Sequence, residues 1–564
     1  MIAREKQAAA KPAFVFLQSL TRKRLTKSNN ECGSTGFRVY NKGSFMKKRY
    51  LQAIASILTT AFFLSACAEF DTSSAAETEK EDEIVSLGLT PEFDYEVPRS
   101  IPDIMVNQVG YAQDSSKVAV FRGEMLPDTY NLVNAETGEI VYTGEIELKG
   151  YNEITDENIS YGDFTDYTVP GIYYLQADVI GQSYMFAIEK NPYADIFTEA
   201  LKQYYYNRCG LTLSEELAKE AAHNACHTKS AQLKDGTAVQ IDVLGGWHSD
   251  EKGNRDVIEG CEAVSNLLLA YELYGSSFTD DIGIPESGNG IPDVLDEVKY
   301  EIDWLLKMQD SSSGAVYSAV GVIDNPDADY LLYVEPATMN TTIQFAATMA
   351  KFSYLYQGYD RDFATQCLRA ADRAYRYVEQ YPETIPQEEY FCAATELYRA
   401  TGANGYHSTI SKYLSKTSET DINNDYVFLG CVTYLSTKQR VDVTLCDKVI
   451  TDLLAAVEKI SFNSKNSKYL TEANAEQSNN SELLRKMTRL SVVDHIITNH
   501  EYMTVLENHL HYFLGRNAQS VSYIDSTANR NSKSVDSKIN IMKQMEQNAQ
   551  LVLLLSVIEE NLEE

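Results

Sequence analysis

Residues 245–256 read Gly-Gly-Trp-His-Ser-Asp-Glu-Lys-Gly-Asn-Arg-Asp. This short stretch combines an indole, an imidazole and several charged side chains. Ser249 and Lys252 are its chemically informative members. At neutral pH, neither the Ser249 hydroxyl nor the Lys252 ammonium is by itself a general base. Whether the stretch is catalytic or structural therefore depends on the sequence around it.

Apolar residues at helical spacing dominate the chain from about residue 191 onward. Ile291-Pro292-Asp293 begins a helix with proline in its first turn. One apolar face then continues from Val294 to Leu306. Similar patterns occur at 341–356, 364–378, 390–401, 449–460, 484–498 and 502–514. Residues 191–564 are therefore predicted to be mainly α, as a toroid of α/α hairpins.

Short β-branched and aromatic runs, separated by Gly, Pro, Asn and Asp, characterise residues 100–190. Examples are Lys-Val-Ala-Val-Phe at 117–121 and Gly-Ile-Tyr-Tyr-Leu at 171–175. Fewer than a hundred residues with this spacing predict a small β-sandwich ahead of the helical part.

The N-terminal 66 residues are typical of an export signal. Residues 46–66 begin with Met-Lys-Lys-Arg and continue into an apolar run too short for a comfortable membrane span. Leu-Ser-Ala-Cys at 64–67 resembles a bacterial lipobox, which predicts Cys67 as the lipidated first residue of the mature protein. An ordinary secretory peptide cleaved nearby is the alternative. Residues 1–45 precede a complete signal peptide, so we expect an upstream extension that arises from a wrongly assigned start, with Met46 as the initiator.

Residues 67–99 are rich in Glu, Asp, Ser and Thr, and we expect them to be a flexible acidic tether. The predicted location is the surface or envelope of a bacterial cell, with membrane contact only through the lipid. The whole chain carries a formal net charge of −32. Because such a surface repels phosphate groups, nucleic acid is excluded as an expected partner.

The stretch at 245–256 resembles the Gly-Gly-Trp-His-Asp-Ala-Gly-Asp signature of glycoside hydrolase family 9, which contains inverting cellulases of the endoglucanase type. Further matches follow in family order at 281–293, 304–309, 395–402 and 514–517. Met-Val-Asn-Gln-Val-Gly-Tyr at 105–111 is similar to the immunoglobulin-like module that precedes many family 9 catalytic domains. The resemblance implies a six-hairpin (α/α) barrel, preceded by a small immunoglobulin-like β-sandwich that supports it.

The resemblance also implies that three catalytic carboxylates are missing. The two aspartates that hold and deprotonate the attacking water correspond to Ser249 and Lys252. The glutamate that protonates the leaving oxygen corresponds to Met542. Glu546 is four residues further on, too far for proton transfer without a reshaped helix. Trp247, Asp250 and Glu251 remain as candidate cleft residues, although solvated loop carboxylates explain the latter two better.

Four residues resemble the structural zinc ligands of a subgroup of this family: Cys209, Cys226, His227 and His248. Two thiolates and two imidazoles form a closed tetrahedral shell. A Cys209–Cys226 disulfide and two buried free thiols are the alternatives. Calcium is a further expectation from the family, with Asp293, Asp296 and Glu297 as conceivable ligands, although helix capping explains these residues equally well.

Three hypotheses of function follow. The first is a non-hydrolytic, lipid-anchored protein that binds a β-glucan, another polysaccharide or a protein. The second is an active endo-β-1,4-glucanase with relocated carboxylates. The third is an interaction protein with a vestigial cleft that binds a protein partner through its acidic surface. Sequence alone leaves the first and third open.

Overall fold

A computed structural model describes residues 95, 98, 101–235, 239–325, 329–416, 422–472, 479–497, 501–531, 536 and 538–563. The predicted upstream extension, signal peptide and Cys67, and all of the tether except residues 95 and 98, lie outside the described residues. Within those residues, no helix has both the length and the apolar character needed to cross a bilayer.

A nine-stranded immunoglobulin-like β-sandwich forms the first folded region. Its strands are β1 Ile104–Met105, β2 Gly110–Ala112, β3 Val118–Arg122, β4 Thr129–Asn134, β5 Ile140–Asn152, β6 Glu157–Asp163, β7 Gly171–Ala177, β8 Gly181–Gln182 and β9 Phe186–Glu189. The strand order is β1-β3-β6-β5-β4-β7-β9-β2, and β8 pairs with β7. The long β5 pairs with β4 through its first half and with β6 through its second. Because β5 takes part in both sheets, the two layers enclose one apolar core.

Among the described residues after 190, twelve long helices in two layers form the second region. The inner helices are α3 Val257–Leu273, α5 Met339–Tyr356, α7 Gln387–Thr401, α9 Asp425–Ser436, α11 Asn480–Ile497 and α13 Met545–Glu563. The outer helices are α1 Ala194–Tyr206, α4 Asp293–Lys307, α6 Arg361–Glu379, α8 Asn404–Lys416, α10 Val443–Asn466 and α12 Met503–Phe513, and α2 Glu215–Ala218 is a short turn between α1 and α3.

The inner helices form a closed ring. Each contacts the next in chain order, and α13 returns to contact α3. They are buried on most sides, whereas α6 has one apolar face and one charged face. Because inner and outer helices alternate along the chain, all six inner helices begin at the same end of the barrel. We call that end the barrel mouth. The predicted barrel of six α/α hairpins is confirmed.

A five-stranded sheet, not predicted from the sequence, lies beside the barrel. It contains β10 Ala231–Leu233, β11 Gln240–Ile241, β12 Arg255–Asp256, β13 Ala319–Asn325 and β14 Asp329–Val334, in the order β11-β10-β14-β13-β12. Strand β12 is the end of the stretch at 245–256, and its residues pair with Val320 and Ala319. This pairing attaches the stretch to a second structural element besides helix α3.

The sandwich and the barrel meet around the Leu-Gly-Arg-Asn segment at 514–517. The Gln108 N–H donates to the Leu514 carbonyl at 2.8 Å, and Gln108 Nε2 donates to the Ser520 carbonyl at 2.7 Å. The buried Arg516 donates from Nη1 to the Val118 carbonyl at 3.2 Å. These buried polar contacts fit the expected supporting role of the sandwich.

Glu507, on α12, should make stability depend on pH. The side chain is only 8% exposed, and burial raises its pKa to about 7, although Lys117 opposes this shift. The folded-state pKa lies above the unfolded value near 4.5, so the folded protein binds the extra proton. This contribution is fully present below pH 4.5 and is lost as the pH rises through 7.

We therefore expect Glu507→Gln to increase the free energy of unfolding at pH 8 by up to roughly 3 kcal/mol, with little change at pH 4.5. Denaturant unfolding at both pH values measures the effect. The exposed Glu136→Gln is the control and should change neither value. An equal effect of Glu507→Gln at both pH values would show that burial of the ionised carboxylate is not its cause.

Candidate functional site

The stretch at 245–256 starts with two backbone positions that only glycine can occupy without strain. Gly245 has φ +111° and Gly246 has φ +82°, and a Cβ on Gly246 would lie 2.6 Å from the Trp304 ring. The next residue, Trp247, donates its N–H to Glu301 Oε2 at 2.7 Å and is 1% exposed. The prediction that Trp247 lines a cleft is therefore wrong, because the indole lies in the core against Tyr204.

Ser249 forms hydrogen bonds that hold the backbone of its loop. Its N–H donates to the Asn254 carbonyl at 2.7 Å, and its hydroxyl accepts from the Asp256 N–H at 2.8 Å. Asp256 in turn caps α3, accepting from the N–H groups of Ile258 and Glu259. The hydroxyl thus closes the loop onto the start of an inner helix.

Asp250 is held inside its own loop. Its carboxylate accepts from the Lys252 and Asn254 N–H groups and from Asn254 Nδ2, the last at 2.6 Å. Partial burial opposes ionisation, but these hydrogen bonds keep the pKa of Asp250 below its ordinary value. A carboxylate that is ionised and multiply bonded is a poor proton acceptor. Glu251 and Lys252 are exposed on the same loop.

Met542, at the position expected for the acid, lies in a 3₁₀ turn at Ile541–Lys543 just before α13. Its side chain is 2% exposed and packs in the barrel core. Glu546, in the first turn of α13, lies at the barrel mouth and accepts from Arg485 Nη2 at 3.2 Å. The helix begins between these two residues, at Met545. Glu546 is therefore not simply one turn of a continuous helix away from the acid position.

A group of charged residues that was not singled out from the sequence surrounds Glu546. Arg485 Nε lies 3.0 Å from Asp425 Oδ2, and Arg489 Nη2 lies 2.7 Å from Asp425 Oδ1. Glu262 accepts from the Tyr426 hydroxyl at 2.6 Å, and burial raises the pKa of Glu262 to about 7. A carboxylate within the apolar pattern of α3 was the sequence signal that could have revealed this group.

The four residues with metal-ligand chemistry come together. Ligand atoms of Cys209, Cys226, His227 and His248 all lie within 4.8 Å of one another. The Cys226 sulfur is 3.9 Å from the Cys209 sulfur and 3.5 Å from His248 Nε2, and the Cys209 sulfur is 3.7 Å from His227 Nδ1.

These distances between ligand atoms fit tetrahedral coordination of one ion. Zinc bonds of about 2.3 Å to sulfur and 2.0 Å to nitrogen place two such sulfurs about 3.8 Å apart, and a sulfur and a nitrogen about 3.5 Å apart. A disulfide needs sulfurs about 2.05 Å apart, so the two thiols are not bonded in this structure. Gly253, with φ +84°, lies against the His227 ring, where a Cβ would clash. The glycine thus allows the loop at 245–256 to approach the ligand group.

A second acidic group involves Asp293 and Asp296, with Asp280 as its third member. The expectation that Glu297 belongs to it is wrong, because Glu297 forms a buried ion pair with Arg208 at 2.9 Å. Asp293 Oδ2 accepts from the Ile282 N–H and the Ser287 hydroxyl, whereas its buried Oδ1 has no hydrogen-bond partner among the described residues.

Comparison with known proteins identifies the family of this chain. A family profile described as Glycosyl hydrolase family 9 matches residues 193–552. The chain belongs to this family. A profile described as Cellulase N-terminal ig-like domain matches residues 99–182 of the same family 9 chain.

Individual relatives agree with this assignment. Endoglucanase D of Acetivibrio thermocellus is 28% identical over 516 residues, which cover 85% of this chain and 77% of the relative. A xyloglucan-specific endo-β-1,4-glucanase of Bacteroides ovatus is 26% identical over 484 residues, covering 76% and 81%. The crystal structure of a metagenome-derived family 9 endoglucanase has a TM-score of 0.71 at 24% identity, covering 80% of this chain and 98% of the other.

Proposed function

We propose that this family 9 protein is non-hydrolytic and binds a β-glucan or related polysaccharide. The observation that carries the proposal is the buried Met542 at the position of the expected acid. An apolar thioether in the core can neither protonate a leaving group nor reach one. Names of relatives such as the xyloglucan-specific endo-β-1,4-glucanase support a polysaccharide as the ligand class.

The stretch at 245–256 supports the same conclusion. An inverting mechanism needs a base that activates water on the face of the sugar opposite the acid. The Ser249 hydroxyl here holds the loop backbone, and the Asp250 carboxylate accepts three hydrogen bonds within its loop. The loop therefore has a structural part in the proposed function.

We further propose that Cys67 is lipidated and holds the protein at the bacterial cell surface. The order of basic residues, apolar run and cysteine at 46–67 supports this. A protein partner is a second ligand class at that location, supported by the acidic composition.

Zinc is the metal we propose for Cys209, Cys226, His227 and His248, because the thiolate–imidazole set and its spacing fit this ion. Bound there, zinc would supply cross-linking rather than chemistry, since all four positions are taken by protein. Calcium is the ion we propose for the carboxylates of Asp280, Asp293 and Asp296, because hard cations prefer oxygen ligands.

Hydrolysis and binding can be measured on one preparation. We expect no release of reducing ends from carboxymethylcellulose or xyloglucan above that of a heat-inactivated sample. We expect retardation of the native protein in gels that contain one of these polysaccharides. An active family 9 endoglucanase assayed alongside sets the scale for the first measurement.

The alternative of relocated carboxylates predicts a different result. Glu262, Glu389, Asp425 and Glu546 are carboxylates at the barrel mouth, and Glu262 and Glu546 are the pair that we expect such a mechanism to use. Release of reducing ends that disappears in Glu262→Gln or Glu546→Gln would overturn the non-hydrolytic proposal. Absence of retardation by every polysaccharide tested would overturn glycan binding and favour a protein partner.

A further inference from the structure

A cavity of about 330 Å³ opens at the barrel mouth. Its lining includes residues from the first two turns of all six inner helices: Glu262, Gln344, Glu389, Tyr426, Arg485 and Gln550. Cavities of roughly 300–1,000 Å³ are typical of small-molecule sites. This one is at the small end of that range. It has room for one sugar ring but not for an extended chain.

Two buried amide oxygens in this lining have no hydrogen-bond partner in the described part of the chain. Gln344 is 6% exposed and Gln550 is 3% exposed, and Oε1 of each is unpaired. Gln550 Nε2 donates to Glu546 Oε1 at 3.0 Å, which fixes the orientation of that amide. Buried polar atoms in folded proteins are almost always paired with protein or water, so both oxygens are free to accept from water or from a bound molecule that displaces it.

Two of the four carboxylates in the lining, Asp425 and Glu546, form ion pairs with arginines, and burial raises the pKa of the other two, Glu262 and Glu389. Asp425 pairs with Arg485 and Arg489, and Glu546 pairs with Arg485. Burial raises the pKa of Glu262 to about 7, so near neutral pH this group both donates and accepts hydrogen bonds. A ligand is therefore not required to bring a charge of either sign.

Hydroxyl groups match this set of partners best. They donate to unpaired amide oxygens, accept from a protonated carboxyl and carry no charge. The Tyr426 side chain, half-buried in the lining, adds an aromatic surface next to Glu262. Buried residues such as Cys261 and Cys392 line the cavity between the inner helices. Because the volume holds one ring, we expect it to take the end residue of a glycan, which needs room for only one glycosidic linkage.

We propose that the mouth cavity binds one neutral sugar residue at the end of a glycan, with Gln344 and Gln550 accepting its hydroxyl groups. The inference rests on the proposed glycan-binding function and assigns it to residues that are not the family's catalytic positions. Binding the chain end would make the protein selective for oligosaccharide termini over the middle of a polymer.

The test uses D-glucose, cellobiose and cellotetraose as probes, with affinity measured by isothermal titration calorimetry on the purified chain. Gln344→Leu and Gln550→Leu each remove one acceptor at nearly constant volume and should weaken cellobiose binding at least tenfold. Ala347→Phe, which fills the cavity from α5, should abolish it. Gln357→Leu makes the same exchange at an exposed position and should leave the affinity unchanged. Thermal unfolding of each variant separates lost binding from lost folding.

Each outcome bears on one proposal or both. Equal affinity in the native protein and in all cavity variants that remain folded would overturn this inference, and gel retardation by polysaccharide would leave the proposed function intact. No measurable affinity of the native protein for the three probes, with retardation retained, would also overturn the inference. Loss of both probe binding and retardation would overturn both proposals.

Discussion

Cys209→Ser is expected to release one equivalent of zinc and to lower the melting temperature by roughly 5 °C or more. A serine hydroxyl is a much weaker zinc ligand than a thiolate, and its loss would leave Cys226, His227 and His248 with an incomplete shell. Because His248 follows Trp247, loss of the ion should also loosen the stretch at 245–256. Elemental analysis and thermal unfolding, with and without a chelator, measure the two effects.

The control is Cys446→Ser, at a cysteine that is 5% exposed on outer helix α10 and lies outside the ligand group. It carries the same cost of burying a hydroxyl but should keep the zinc content at one equivalent. The same elemental analysis of the native protein measures its calcium content, which the proposal for the Asp280 group expects to be one equivalent. A native protein free of zinc, with unchanged melting temperature in chelator, would refute the zinc proposal.

Arg399→Met is expected to reduce the free energy of unfolding by about 3–5 kcal/mol. Arg399 is fully buried near the end of α7, with Nη1 2.6 Å from Glu272 and Nη2 2.6 Å from Glu396. Glu396 also accepts from the Thr433 hydroxyl of α9 at 2.7 Å. The arginine thus joins α3, α7 and α9 at the end of the barrel opposite the mouth. Its removal leaves two buried carboxylates with the buried Lys351 as a nearby cation.

The loss should be larger at pH 8 than at pH 5, because Lys351 alone compensates the two carboxylates less well and proton binding relieves their repulsion. Arg376→Met is the matched control. Arg376 is 66% exposed and pairs with Asp372 one turn away on α6, so its loss should cost less than about 0.5 kcal/mol. Similar losses from both substitutions in denaturant unfolding would contradict the importance of the buried pair.

The long amphipathic helices could be predicted from the sequence. The segments proposed at 341–356, 364–378 and 390–401 correspond to α5, α6 and α7, with bounds that differ by at most three residues. Apolar residues that recur at helical spacing along one face allow such helices to be predicted without tertiary information. Helix α9 was not predicted, because it is buried on nearly all sides and lacks a polar face that would reveal its period.

The small sheet that contains β12 was also missed. Its strands are two to seven residues long. Two of its pairings join residues more than sixty positions apart, as Arg255 does with Val320 and Gln232 with Tyr333. Short strands of this kind depend on their partners more than on their own composition. The local sequence therefore carried little signal of the element that fixes one end of the stretch at 245–256.

The sequence by itself determined the family, which the profile match over residues 193–552 shows. It also predicted that Ser249, Lys252 and Met542 stand where the family has carboxylates, and it predicted the four metal-ligand residues. These are properties of residue type at a recognisable position, which need no coordinates. Only the tertiary structure decided that Trp247 is a core residue and that Glu297 forms a buried ion pair with Arg208. It also brought Glu262, Gln344 and Gln550 to one cavity, from helices that are far apart in sequence. The ring of inner helices is the physical reason, since it aligns six helix starts at one end, and sequence spacing does not encode which side chains then face each other.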